Sequence, residues 1–369
     1  SNIDDNFGRL QSHLHELGLS DNTILIFMTD NGTATGIELD SEQYPQEGPG
    51  SYNAGMRGKK GSPYEGGHRV PFLVRFPNGQ VAGGRDMPAL ASYVDFMPTL
   101  LELCNADVPS ERSFHGQSLA PMLRGQDPPA DWSGRVNVCD TQRVAHPVKW
   151  RKSSVMKKRW RLINGRELYD LNSDPGQRRD IAAKHPGIVS ELRQDYELWW
   201  KNISDQFDRD VPIALGGDDE EVKLTTHDLR NETCNGVWNH RQVRAGQVSS
   251  GYWAVDIRQS GRYEIELRRW PEETSYALTA AIDGDDSNWR RDSIKPGDAP
   301  AYEGGIALAI QWAQLTIGDA NYQAEVDPAG TSALFTVELT TGPDQLFAAF
   351  HDHSERTIAP YYVYIRRLP

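Results

Sequence analysis

Three things are scarce in this chain: cysteine, long apolar runs and positive charge. Its three cysteines, Cys104, Cys139 and Cys234, are too few and too scattered for a disulfide framework or a four-cysteine zinc site, and none lies in a C-x-x-C motif. Buried thiols are the plain expectation, with a single disulfide as the alternative, so cysteine assigns no compartment. No run of 18 apolar residues occurs, and no membrane span is expected. With 39 Lys and Arg against 52 Asp and Glu, the formal charge is −13. That balance argues against nucleic acid as a main partner, which needs a basic footprint. It still allows an anionic small substrate, because a site can be locally positive in an acidic protein. The 369 residues are enough for two or three domains, and 38% apolar with 25% charged residues fits a folded chain.

What is present falls into two parts. Phe7, Leu10, Leu14 and Leu17 share one helical stripe that Gly18 stops. Thr23 to Met28 (TILIFM) is a continuous apolar run of the kind buried on both faces of a parallel sheet, and Asp30-Asn31-Gly32 ends it with turn formers. Residues 33–68 show no periodicity and read as one long loop, a class that is usually functional or disordered. Val70 to Phe76 is a second strand, and Asp95 with Pro98 marks a helix start. Short strands are expected at 135–138, 153–163 and 167–171. Ile188, Leu192, Tyr196 and Trp199 form the stripe of a later helix.

The acidic, turn-rich stretch Gly216 to Glu221 marks a boundary, giving an α/β domain over 1–215 and a second domain over 222–369. In the second, period-two alternation appears at 253–257, 263–267, 276–282 and 335–339, separated by glycine turns. Strands so spaced predict an all-β sandwich.

Two segments carry chemistry. Asp30-Asn31 ends a strand, where open α/β sheets bind ligands, and offers hard oxygen donors suited to Ca²⁺ or Mg²⁺. By itself the signal is weak, since Asp-Asn-Gly after a strand is more often just a turn. Met56 to Arg69 (MRGKKGSPYEGGHR) places Arg57, Lys59, Lys60, His68 and Arg69 among four glycines. Glycines let backbone and cations approach an oxyanion closely; a solvated basic loop is the competing explanation. His351 and His353 are read as a solvent-exposed strand end rather than a metal pair.

Together DNTILIFMTDNG and MRGKKGSPYEGGHRVPFLVRFPNG resemble the second half of a type I sulfatase, of the alkaline-phosphatase-like superfamily. YVDFMPTLLEL, FHGQSLAPML and WRLINGRELYDLNSDPGQRRDIAAKHP resemble later family segments in the same order, so the resemblance covers residues 1–205. It implies a partial sulfatase-type α/β domain. It also implies that Asp30 and Asn31 bind a divalent cation, Ca²⁺ with Mg²⁺ as the alternative, and that Lys60 contacts the sulfate and the leaving-group oxygen. Glu65, Gly66 and Gly67 match a structural part of the loop, while His68 fills a variable position as a candidate substrate contact.

One departure qualifies this. The family nucleophile is a formylglycine made in a C/S-x-P-S-R motif, and none of the cysteines or serines here lies in one. The resemblance implies that this chain is the C-terminal portion of a sulfatase, with the formylglycine in a missing N-terminal part, either removed or supplied as a separate polypeptide. The chain alone is then expected to be inactive, with weak metal affinity and an uncovered sheet flank. The implied substrate is a sulfated small molecule or glycan, and the implied location periplasmic or secreted.

Two other classes remain open. One is a catalytically silent carbohydrate-binding or scaffold protein, with Trp238, Trp253, Trp270, Trp289 and Trp312 of the sandwich either binding sugar or packing the core. The other is a phosphate or phosphonate ester hydrolase of the same superfamily.

Overall fold

The computed structural model describes residues 2–33, 53–81, 83–107, 111–142, 144–230, 236–284, 304–352 and 357–369. Its contacts divide the chain into two units, residues 1–142 with 148–205 and residues 143–147 with 206–369.

The first unit opens with α1 (Asn2–Glu16), and Gly18 closes it at φ +68°. Strand β1 (Leu25–Met28) follows, then the short α2 (Glu65–His68) and β2 (Phe72–Arg75). β1 pairs with β2 antiparallel, Leu25 opposite Arg75, and these two strands form a sheet of their own. This corrects the expected parallel, doubly buried strand: β1 is half-buried, and Met28 is exposed. The apolar stripe of α1 is likewise uncovered. No α1 residue is buried, and its main aromatic contact is the edge of Phe7 on Phe27. Ile3 and Leu17 of this region, with Leu73 and Met97, are each more than half exposed.

Next come α3 (Phe96–Leu103) and α4 (Ala120–Leu123). Asp95 was expected to cap α3. Instead its buried carboxylate accepts the N–H of Ser92 and of Gln117 and pairs with Arg135. A residue with three such partners fixes tertiary structure rather than one helix end.

Strands β3 (Asn137–Asp140), β4 (Ser153–Lys157), β5 (Trp160–Ile163) and β6 (Glu167–Asp170) then form an antiparallel meander. Helix α5 (Pro186–Ser204) packs Val189, Leu192 and Tyr196 onto Val155, Leu162 and Leu168 of that sheet. Each such side chain contributes roughly 2 kcal/mol on full burial. The stripe read from the sequence is therefore the packed face, and Trp150 stacks on Tyr196 beside it.

The second unit adds β7 (Ile213–Leu215), β8 (Glu221–Thr225), α6 (His240–Arg244), β9 (Trp253–Ile257) and β10 (Gly261–Arg268). Then follow β11 (Trp312–Ile317), β12 (Ala320–Glu325), β13 (Ala333–Leu339), β14 (Gly342–His351), β15 (Thr357–Ile358) and β16 (Tyr362–Arg367). One sheet runs β13-β10-β16-β8 and the other β12-β11-β14-β9-β7, with β15 on β14. Their inward residues form one large core around Trp253, Tyr263, Leu315 and Phe350. Residues 213–215 pair parallel with β9, so the strand before the acidic stretch lies in this unit.

The alternation at 276–282 does not become a strand. Arg269, 1% exposed, takes the carbonyls that a ladder would use: its guanidinium donates to Leu278 O and Ala280 O, at 3.4 and 3.0 Å, and to Ile306 O at 2.7 Å. A buried cation must have partners, and here the backbone supplies them.

Arg269→Met keeps the bulk but strips those carbonyls of their donor. It is expected to destabilise the second unit by about 3 kcal/mol, read as a lower urea midpoint in tryptophan fluorescence. An unchanged midpoint would refute the role.

Candidate functional site

The two segments with chemistry are joined by backbone hydrogen bonds. Gly32 N–H donates to Gly67 O at 3.1 Å, and Lys60 N–H donates to Thr33 O at 2.9 Å. The turn that carries Asp30 and Asn31 therefore lies directly on the cationic loop. The fit is tight. A Cβ on Gly32 would stand 1.8 Å from Gly66 O, and one on Gly67 would stand 2.2 Å from Ser62 O. These positions hold glycine because neighbouring backbone already fills the space of a side chain.

Glu65 anchors the loop. It is 1% exposed and accepts from Arg161 Nε on β5 at 2.7 Å, with Arg69 at 3.6 Å, while its own N–H donates to Gln177 Oε1 at 2.7 Å. Arg57 makes a second anchor. It lies over the Tyr64 ring at 3.8 Å, donates to Tyr169 Oη at 2.9 Å and sits 3.5 Å from Glu167. Tyr64 and Tyr169 both donate to Glu167 Oε2. Burial and that carboxylate together push the Tyr169 phenol far up, so it stays a neutral donor. Asn53, buried inside the loop, donates to the carbonyls of Met56 and Gly58.

These contacts sort four of the five candidate cations, and the fifth, Lys59, is half-buried. Arg57 and Arg69 are engaged with Glu167 and Glu65. His68 is largely buried, its Nε2 3.2 Å from Pro63 O and 4.0 Å from Glu65. Burial holds its pKa below 6.5, outweighing the upward pull of Glu65. Lys60 is exposed, and its ammonium has no ion pair among the described residues.

At the strand end the Asn31 amide donates to the Asp30 carboxylate, so the two side chains meet on one side of the turn. Both are oxygen donors of the hard type, and Asp30 is solvent-exposed. They suit part of a divalent-cation shell. Among the described residues no group of three or more His, Cys, Asp or Glu gathers to hold a metal.

Two residues that position the site escaped the sequence reading. Arg161 and Gln177 lie about a hundred residues beyond the loop, with no local pattern to mark them. The only signal was a charged residue inside the apolar strand WRLI. The cysteines divide: Cys104 is exposed at the end of α3, against the expectation of burial, whereas burial beside Asp140 and Glu65 pushes the Cys139 thiol up to about 11. Cys234, Trp289 and His353 lie outside the described residues. Trp253 and Trp270 pack in the core, while Trp238 is exposed and Trp312 half-buried.

The comparisons with known proteins fall on this unit. Residues 1–106 match the sulfatase family model, and residues 59–198 match that of the N-sulphoglucosamine sulphohydrolase C-terminal region. Through residues 1–198 the chain belongs to the sulfatase family. Steryl-sulfatase of Mus musculus is 30% identical over 211 residues, covering 49% of this chain and 32% of that protein. N-acetylgalactosamine-6-O-sulfatase of Bacteroides thetaiotaomicron is 29% identical over 211 residues, covering 52% and 39%. A solved structure from glycosaminoglycan metabolism of that bacterium has TM-score 0.41 at 27% identity, covering 54% of this chain and 43% of its own. The chain spans about a third of the length of the curated relatives it matches.

The His68 geometry has a pH consequence. Its folded pKa lies below the unfolded 6.5, so the unfolded state takes up the proton first on acidification. This contribution is complete above pH 6.5 and is lost as pH falls through the folded value, by at most about 1.4 kcal/mol per pH unit. Urea midpoints at pH 7.5, 6 and 5 are expected to fall less for His68→Gln than for the unmodified chain; parallel curves would refute it.

Proposed function

We propose that the sulfatase-family unit forms the leaving-group side of a sulfate-ester hydrolase. Lys60 is the cation at the scissile oxygen, and Asp30 and Asn31 are oxygen donors to a divalent cation. One observation carries the proposal: the backbone bonds that set the Lys60 loop on the Asp30-Asn31 turn. The family-model matches over 1–198 support a sulfate ester over a phosphate or phosphonate ester.

The chemistry assigned to this chain is electrostatic. As the S–O bond breaks, negative charge grows on the bridging oxygen. A primary ammonium is a compact donor that can stabilise it and neutralise the departing alkoxide. Lys60 suits that task because its charge is not consumed by a described ion pair. His68, neutral and bound toward Pro63 O, is assigned to holding the loop rather than to touching substrate.

Ca²⁺, with Mg²⁺ as the alternative, is the cation proposed for Asp30 and Asn31; when bound it would polarise the sulfate as a Lewis acid. Two donors are only part of the six to eight that Ca²⁺ takes. Formylglycine does not fit this sequence, since no C/S-x-P-S-R motif occurs in it, and no covalent step is assigned to these residues. We assign the nucleophile and remaining metal donors to a further sulfatase-type portion, in the same or another polypeptide. It would cover the apolar surface of Ile3, Leu17, Leu73 and Met97. The substrate class is a sulfated small molecule or glycan, and the location periplasmic or secreted by analogy with the family. No helix among the described residues is long and apolar enough to cross a membrane.

The purified chain is expected to leave 4-nitrophenyl sulfate unhydrolysed, and turnover by it would overturn the division of labour. Calorimetric titration with CaCl₂ is expected to give weak binding that Asp30→Ala abolishes and Lys60→Met retains. In an assembly that does turn over, Lys60→Met is expected to lower kcat/KM about 100-fold, more steeply for the poorer leaving group. An equal loss for good and poor leaving groups would remove Lys60 from the bridging oxygen.

A further inference from the structure

The two outer faces of the β-sandwich differ in chemistry. On the four-stranded sheet, Arg366 pairs with Glu221 and Glu264, and Arg268 with Glu266. That face is a grid of charges, as a solvated sheet surface is expected to be. On the six-stranded sheet the register sets Trp312 opposite His351, Gln314 opposite Ala349 and Thr316 opposite Phe347. Directly opposed residues share a face, and the alternate residues Ala313, Leu315, Ala348 and Phe350 are the ones in the core. β12 continues the outer rows with Gln323 beside Gln314 and Asn321 beside Thr316.

The result is a surface of rings and amides. Trp312 stacks on His351 with centroids 3.7 Å apart, and Phe347 meets Tyr252 at 5.5 Å. Phe347 is 42% exposed although it is a large apolar side chain in mid-strand. Four positions separate it from His351, so the two aromatic pairs stand about 13 Å apart along β14. Between them lie neutral groups. Gln314 donates to Asn321 at 3.2 Å, and the exposed amides of Gln323 and Gln345 make no hydrogen bond to other described residues. Charge stands beyond the ring pairs: Glu325 is opposite Trp312 on β12, the Tyr252 hydroxyl donates to Asp210 at 3.2 Å with Arg230 3.6 Å from that carboxylate, and Asp256 pairs with Arg258 at 3.0 Å.

We infer that the outer face of the six-stranded sheet is a binding platform for an uncharged glycan, held across β11 and β14 between Trp312 and Phe347. The argument is complementarity of charge and of surface type. A sugar ring has C–H faces that lie on aromatic rings and hydroxyl edges that exchange hydrogen bonds with amides. Among the described residues the strip between the two ring pairs carries no charged side chain, and the cations beside it, Arg230 and Arg258, are paired with Asp210 and Asp256. A sulfated polymer would find here only cations already paired with carboxylates, which separates this face from the one proposed around Lys60. The inference does not depend on the hydrolase reading.

Affinity gel electrophoresis of the full chain tests it, through gels containing galactomannan, arabinoxylan, mixed-linkage β-glucan or, for contrast, dextran sulfate. Retardation by at least one neutral polysaccharide is expected, weakened at least tenfold by Phe347→Ala and by Trp312→Ala. Glu338→Ala, exposed on the opposite sheet, is expected to leave it unchanged. Circular dichroism melts establish that each variant is folded; Phe347→Ala, already exposed, keeps the test decisive where Trp312→Ala is not. Four results would overturn the proposal: no retardation by any of the three neutral polymers, retardation by dextran sulfate alone, retardation indifferent to Phe347→Ala, or a dimer of the chain that Phe347→Ala dissociates.

Discussion

A carboxylate buried under a loop needs a cation, and in the first unit Glu65 finds it in Arg161, across ninety-six residues of sequence. Losing Glu65 would leave the buried Arg161 guanidinium without a counter-charge, a penalty of several kcal/mol. The pair therefore fixes α2 to the β3–β6 meander. The glycines that flank Glu65 let backbone press on backbone, so the anchoring passes on to the Asp30-Asn31 turn through Gly32 and Gly67. Lys60 is exposed, yet its backbone is held by that same network. A flexible side chain on a fixed backbone suits a group that must meet a developing charge, because the reach is adjustable while the origin is not.

The second unit solves a related problem by another route. Arg269 also lies almost fully out of solvent, but it is met by carbonyl oxygens rather than by a carboxylate. Spreading the charge over several dipoles replaces hydration without a second buried ion. The consequence is visible in the topology. The segment 276–282 keeps an alternating pattern and buries Leu278, but the carbonyls of Leu278 and Ala280 face the guanidinium, and among the described residues only the single bridge Ile282 to Gly305 remains of a ladder.

Much of the fold was legible where pattern and packing agree. The stripe Ile188, Leu192, Tyr196 is the buried face of α5, and alternation at 253–257, 263–267 and 335–339 became β9, β10 and β13. The apolar run TILIFM misled on pairing, because continuous apolarity reports the burial a strand suits and not the neighbour it has. Here that neighbour is β2, antiparallel. The site was legible in its local part. Asp30, Asn31, Lys60 and the Glu-Gly-Gly run lie within two short motifs, and glycine spacing is a local property. Arg161 and Gln177 were not, since a partner selected by burial in space leaves no period in the chain.

By itself the sequence determined the class of each half, the two chemistry-bearing motifs and the resemblance that ties them to sulfatases, because all of these rest on residues close together in the chain. Tertiary structure alone decided which cations of the loop meet a carboxylate, since pairing depends on what burial brings near. It also decided that His68 sits neutral against Pro63 O, because desolvation exists only once the loop is packed. Register was likewise beyond the sequence: that Trp312 stands beside His351 and Phe347 beside Thr316 follows from how β11 meets β14. A slip of one residue would have sent every one of those rings into the core.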